Sequence, residues 1–144
     1  MIRSFGGEYK CAADAKGRLL IPSRIRDQIP EGESVVLVRS VDPCINLYTE
    51  ERWNDYEQQI ASLPGTEARD VRRFFYGSMQ PVEPDGQGRV LLPIQLREHA
   101  GIEKQVVIVG CGDHAEIWDE AAYQSYAEKT RTDEILEILR RNGL

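Results

Sequence analysis

The sequence predicts an α+β protein built on a small duplicated barrel. Three observations lead there: an internal repeat, short apolar runs bounded by turn residues, and helical periodicity confined to the segment that closes each repeat. Asp14-Ala15-Lys16-Gly17-Arg18-Leu19-Leu20-Ile21-Pro22 returns 71 residues later as Asp85-Gly86-Gln87-Gly88-Arg89-Val90-Leu91-Leu92-Pro93. The match runs on, with Ile25-Arg26 equivalent to Leu96-Arg97 and Val35–Val38 to Val106–Val109. One residue is then lost, after which Leu47-Tyr48 matches Ile117-Trp118 and Trp53 matches Tyr123. Upstream, Phe5-Gly6 matches Tyr76-Gly77.

Each copy is expected to run in the same order. A strand leads into D-x-x-G-R, where Gly17 or Gly88 permits a turn with positive φ. The apolar runs Leu19-Leu20-Ile21 and Val90-Leu91-Leu92 are too short for helices and suit buried strands. Pro22 and Pro93 fit the first turn of a short helix ending near Gln28 or Ala100. Val35–Val38 and Val106–Val109 are β-branched strands, onto which Ile45–Tyr48 and Glu116–Trp118 pair back across Asp42-Pro43 and Gly112-Asp113. Thr49 and Asp119 are placed to cap the helices that follow. Trp53, Tyr56, Ile60 and Leu63 line one face of the first such helix, and Pro64-Gly65 ends it. Thr66 begins another, carrying Val71, Phe74 and Phe75. The last helix, over Asp133–Asn142, presents Ile135, Leu136, Ile138 and Leu139, with Gly143 as its stop. Residues 1–65 thus form a first repeat with a trailing helix, 66–76 a connecting helix, and 77–144 a second repeat with C-terminal helices.

Composition narrows the function. A chain of 144 residues with 41% hydrophobic and 29% charged residues suits one compact domain or two intertwined halves. The N-terminus lacks the apolar region of a signal peptide, and no stretch approaches a membrane span, so no membrane partner is expected. Cys11, Cys44 and Cys111 are odd in number and form no C-x-x-C pair, which indicates neither a disulfide framework nor a zinc site. A reducing cytoplasm is the expected compartment. The net charge of −6 argues on average against nucleic acid, but its distribution does not. Residues 1–26 hold Arg3, Lys10, Lys16, Arg18, Arg24 and Arg26 against Glu8 and Asp14, a net +4 that leaves −10 on the other 118 residues. A basic head on an acidic body can bind phosphate locally; uneven scatter gives the same count.

The D-x-K-G-R-φ-φ-φ-P segment, repeated as D-x-x-G-R-φ-φ-φ-P, resembles the MraZ family, a two-copy relative of the AbrB and SpoVT transition-state regulators. The likeness covers essentially the whole chain. It implies a swapped-hairpin β-barrel in which two SpoVT-AbrB-like copies interlock as a pseudo-dimer. It also implies sequence-specific binding to G-rich direct repeats of double-stranded DNA upstream of the division and cell-wall gene cluster. The implied role is regulation, usually repression, of that operon by a nucleoid-associated, ring-shaped homo-oligomer.

Residue chemistry is compatible with this. An Arg18 guanidinium can pair with O6 and N7 of guanine. Lys16 suits a phosphate, since an ammonium lacks the planar fork. Arg24 and Arg26 can track the backbone, Arg3 can reach it from the tail, and Arg89 is the second copy's counterpart of Arg18. Against each stands a plain reading. Arg18 and Asp14 form a turn ion pair, Lys16 is a solvated lysine, and Arg24 and Arg26, two apart on a helix, cannot both face one way. Asp14, Gly17, Asp85 and Gly88 are assigned to turn structure. The second copy has Gln87 for Lys16 and Gln95 for Arg24, and adds Glu83, so it is expected mainly to complete the barrel. His99 and His114 are expected at the surface without ligand-spaced neighbours, so neither metal nor cofactor is assigned. Gly86-Gln87-Gly88 fits no phosphate-loop spacing, and no nucleophile–base set is visible, which disfavours an enzyme. An antitoxin-like module holding a protein partner through its helices stays open as the alternative.

Overall fold

A computed structural model describes residues 2–127 and 131–144. The first copy contributes β1 (Glu8–Ala12), β2 (Arg18–Leu20), α1 (Ser23–Arg26), β3 (Val35–Arg39), β4 (Ile45–Thr49), α2 (Glu50–Ala61) and α3 (Gly65–Tyr76). The second contributes β5 (Gln80–Val82), β6 (Arg89–Leu91), α4 (Ile94–Ala100), β7 (Gln105–Gly110), β8 (Ala115–Asp119), α5 (Glu120–Ala127) and α6 (Thr132–Arg141). No helix among the described residues is long and apolar enough to cross a membrane.

Strand pairing crosses between the copies. The six-stranded antiparallel sheet has the order β1-β7-β8-β4-β3-β5, and a separate two-stranded ribbon joins β2 to β6. Exchanging each strand for its counterpart returns the same order reversed, so a pseudo-two-fold axis passes between β4 and β8 and between β2 and β6. Leu19 faces Val90 in the ribbon and Asn46 faces Glu116 in the sheet, and each pair consists of equivalent residues.

The core lies between ribbon and sheet. Leu19, Ile21, Val90 and Leu92 point inward from the two motifs, Ile25 and Leu96 from α1 and α4, and Val35, Leu37, Val106 and Ile108 from the sheet. Burial of this apolar set from both copies is the main stabilising term, at about 1.5–3 kcal/mol for each large side chain. A second cluster sits on the sheet's other face, where Trp53 and Ile60 of α2 and Phe75 of α3 cover Val36, Val38 and Tyr48.

Several local expectations meet specific geometry. Thr49 caps α2 by accepting from the Arg52 N–H at 3.2 Å, and Asp119 accepts from Ala122 N–H at 3.3 Å. Pro22 and Pro93 stand one residue before their helices, at the cap position, and α1 ends at Arg26 with looser turns continuing to Ile29. Leu63 lies beyond the end of α2 and stays 36% exposed. The larger correction concerns the apolar runs expected to be buried throughout. Leu19 and Ile21 point in, whereas Leu20 is 51% exposed, and Leu91 in the second copy is 53% exposed. A strand alternates faces, so in a ribbon covered on one side every second residue must face solvent.

Candidate nucleic-acid interface

The two D-x-x-G-R turns have the same construction. Asp14 Oδ1 accepts from the N–H groups of Lys16 and Arg18, each at 2.9 Å, while Oδ2 accepts from Arg18 Nε at 2.7 Å. Asp85 repeats this with Gln87 N–H, Arg89 N–H and Arg89 Nε, the last at 2.8 Å. The Arg18 and Arg89 N–H groups, together with the other bonds, hold both carboxyls below the usual aspartate range despite the opposing effect of burial. Each aspartate therefore serves the turn. Each arginine spends only Nε on it, and the Nη groups of Arg18 and Arg89 have no hydrogen-bond partner among the described residues.

The turns interlock with the opposite copy. Gly17 (φ +81°) and Gly88 (φ +79°) close them, and the Gly17 carbonyl accepts from Leu92 N–H at 2.9 Å, the Gly88 carbonyl from Ile21 N–H at 3.1 Å. The space beside each glycine is taken by an arginine of the opposite copy, which would have to move aside for a side chain. The Arg97 guanidinium lies against Gly17 and that of Arg26 against Gly88, where a Cβ would collide. The first turn is thus accompanied by Lys16, Arg18 and Arg97, and the second by Gln87, Arg89 and Arg26.

The outer face of the ribbon carries Arg18, Leu20, Arg89 and Leu91, with Arg18 opposite Leu91 and Leu20 opposite Arg89. Two half-exposed leucines and two arginines thus share one surface built from both copies. Beyond it the surroundings differ. The second turn borders a cleft lined by Glu31, Glu33, Glu83 and Asp85 beside Arg26. Lys16 and Arg24 are exposed, the latter on α1. Arg3 is held away, pairing with both Glu51 carboxylate oxygens at 3.1 and 3.3 Å. That pair is exposed on both sides and so worth little.

The profile of the family described as "MraZ protein, putative antitoxin-like" matches residues 4–74 and, a second time, residues 75–141. The chain belongs to the MraZ family. It is 41% identical to a protein named transcriptional regulator MraZ from Acetivibrio thermocellus, over 97% of this chain and 99% of that one. It is 43% identical to proteins of the same name from Heliobacterium modesticaldum, over 87% of each, and from Lactiplantibacillus plantarum, over 94% of this chain and 97% of that one. The MraZ family is one of transcriptional regulators, not of enzymes.

Sequence reasoning missed three features of this MraZ chain. Arg97 stands at the first turn, a placement that needs the repeat, which equates it with Arg26, and the crossing of copies together. His99 is half-buried with Nε2 at 3.0 Å from Ser40 O and 3.1 Å from Asp42 O, so it braces a backbone turn. His114, expected at the surface without ligand-type neighbours, is largely buried against Tyr48 and gathers Cys111 and Glu116 around it. The spacing C-x-x-H-x-E over 111–116 was the available signal.

Proposed function

We propose that this chain is a sequence-specific DNA-binding transcriptional regulator, acting as a repressor, whose contact surface is the outer face of the β2–β6 ribbon with its two D-x-x-G-R turns. One observation carries this reading: Arg18 is fixed at Nε by Asp14, while its Nη groups remain free on an exposed ribbon. A guanidinium anchored at one edge loses little further freedom on docking, and a two-stranded ribbon fits the major groove. Lys16 and Arg24 add phosphate contacts, and Arg3 joins them once released from Glu51. Arg26 contributes at the second turn, beside Arg89. The names of the relatives support a regulator.

The finer reading follows the resemblance. The two SpoVT-AbrB-like repeats, 1–65 and 77–144 joined through 66–76, form a swapped-hairpin barrel. The target is G-rich direct repeats in the promoter of the division and cell-wall gene cluster, and the protein works at the nucleoid in the cytoplasm as a ring. Ile135, Leu136, Ile138 and Leu139 of α6 are each 36–45% exposed, an apolar stripe suited to joining subunits. Head-to-tail joints repeat one orientation and so suit direct repeats. The same stripe favours a second reading, an antitoxin-like module that grips a protein partner.

A gel-shift titration against upstream DNA, with excess unrelated competitor, separates the two; specific retardation is expected, and its absence removes the regulator reading. Apparent affinity is expected to climb steeply from one operator repeat to three, since later engagements become intramolecular. A monomer by light scattering, with equal affinity for one and three repeats, removes the ring.

A further inference from the structure

A second constellation lies at the tip of the β7–β8 hairpin. Cys111 and His114 flank the two-residue turn Gly112-Asp113, which Gly112 makes possible at φ +87° and which a Cys111 N–H to His114 O bond of 2.8 Å closes. Residues opposite one another in an antiparallel pair share a face, as do residues two apart. The register Val109↔Glu116 therefore puts Glu116 on the same face as Cys111 and His114. A sulfur, a ring nitrogen and a carboxylate oxygen of these residues all lie within 4.8 Å of one another.

Each of two donors is oriented from behind. His114 Nδ1 is 2.7 Å from Asp113 Oδ1 and Nε2 is 3.7 Å from Glu116 Oε2, so a ring whose proton stays on the Asp113 side turns Nε2 towards the space shared with Cys111 and Glu116. Glu116 Oε1 accepts from Trp118 Nε1 at 3.0 Å, which turns Oε2 towards His114. A carboxylate behind a histidine is the outer-shell arrangement that fixes a metal-binding tautomer. Across the sheet, Asn46, which faces Glu116, is 8% exposed and has a buried Oδ1 without a partner.

We propose that Cys111, His114 and Glu116 form a binding site for one Zn2+ ion per chain. A thiolate, an imidazole and a carboxylate suit a borderline-soft divalent ion, and three protein donors leave a fourth position for water. Bond lengths of about 2.0–2.3 Å bring donors somewhat closer than they stand, a movement within reach of side-chain rotation. On binding, the Cys111 S–H bond breaks, the proton leaves to solvent, and the sulfur pair forms the S–Zn bond. Partial exposure of Cys111 gives the ion a path. Gly112 also exchanges two backbone bonds with Phe5, at 2.8 and 2.9 Å, so the ion stiffens the strip that holds the N-terminal arm. The first copy has Ser40, Cys44 and Asn46 at the equivalent positions, a set without the imidazole and the charge.

The test uses untagged full-length protein, stripped with chelator and titrated with Co2+ and then Zn2+. Expected are one Co2+ per chain, a thiolate-to-cobalt charge-transfer band displaced by Zn2+, and a Tm raised by Zn2+ but not by Mg2+. The band is lost in Cys111→Ser and His114→Ala and kept in Cys11→Ser, with fold checked by circular dichroism. Asp113→Asn weakens Zn2+ binding by roughly 10- to 100-fold. Absence of the band in wild type, or its survival in folded Cys111→Ser or His114→Ala, overturns the site.

Discussion

The two D-x-x-G-R turns are nearly superposable in their bonding and differ in what surrounds them. Both have the carboxylate holding two N–H groups, the arginine fixed through Nε, and the positive-φ glycine pressed by an arginine of the other copy. Yet the first presents Lys16 and its neighbour presents Gln87 beside Glu83 and the Glu31–Glu33 cleft. The repeated residues are those the backbone needs, and the divergent ones are those a ligand would meet. The comparison therefore separates two tasks: the shared aspartate and glycine build the turn and present an arginine in each copy, and the departures around that arginine decide which turn a polyanion would meet more readily.

The shared scaffold is most sensitive at the axis. Leu19→Ala leaves a cavity where the ribbon's two strands meet and is expected to cost about 2–5 kcal/mol of stability, read from urea unfolding. A loss below 1 kcal/mol would mean that the ribbon is not part of the core shared by the copies. Contact is most sensitive at Arg18. Arg18→Ala is expected to weaken operator binding by about 1–3 kcal/mol per contact engaged, roughly 5- to 150-fold, with an unchanged circular dichroism spectrum. Arg89→Ala is expected to cost clearly less because of the acidic cleft beside it; equal losses would show that both turns engage alike.

Exchanging the divergent pair gives a smaller effect. Lys16→Gln turns the first loop into the second and is expected to weaken specific and random DNA alike, lowering the salt slope by about 0.9 for a phosphate contact. Gln87→Lys is expected to move affinity the other way. Loss of sequence preference at an unchanged salt slope would make Lys16 a base reader. The smallest effect tests sameness. Asp14 and Asp85 both have folded pKa values lowered from 3.8, so their contribution is fully present above that value and disappears as pH falls through the depressed folded ones. Asp14→Asn and Asp85→Asn should blunt the acid limb of stability to the same extent, measured by unfolding at pH 2–5.

Much of this architecture was legible because local physics decides it. Gly17 and Gly88 occupy turns with positive φ, Thr49 caps its helix, and β-branched runs form β3 and β7, each from residues adjacent in sequence. What periodicity alone could not supply was which copy a strand pairs with. β1 pairs with β7 rather than β3, which sends Arg26 to the second turn and Arg97 to the first. Buried and exposed halves of Leu19-Leu20-Ile21 also needed the ribbon, since three leucine-type residues carry no alternation of their own. His114 was misread for a related reason: its neighbours share its face only once the two-residue turn fixes the hairpin register.

The self-matching position at the centre of the sheet has a further meaning. Asn46 stands directly opposite its own counterpart, Glu116. With two identical copies, whether fused or paired as separate subunits, any residue there would face itself. A glutamate would then meet a glutamate in the middle of the sheet, a destabilising opposition of like charges. Carrying both halves on one chain lifts that prohibition, because the two sides of the axis mutate separately. A carboxylate can stand on one side and a neutral amide on the other. Such self-facing positions are where a duplicated protein gains chemistry that a symmetric dimer is denied, and the lone carboxylate of the central strand pair stands at one of them.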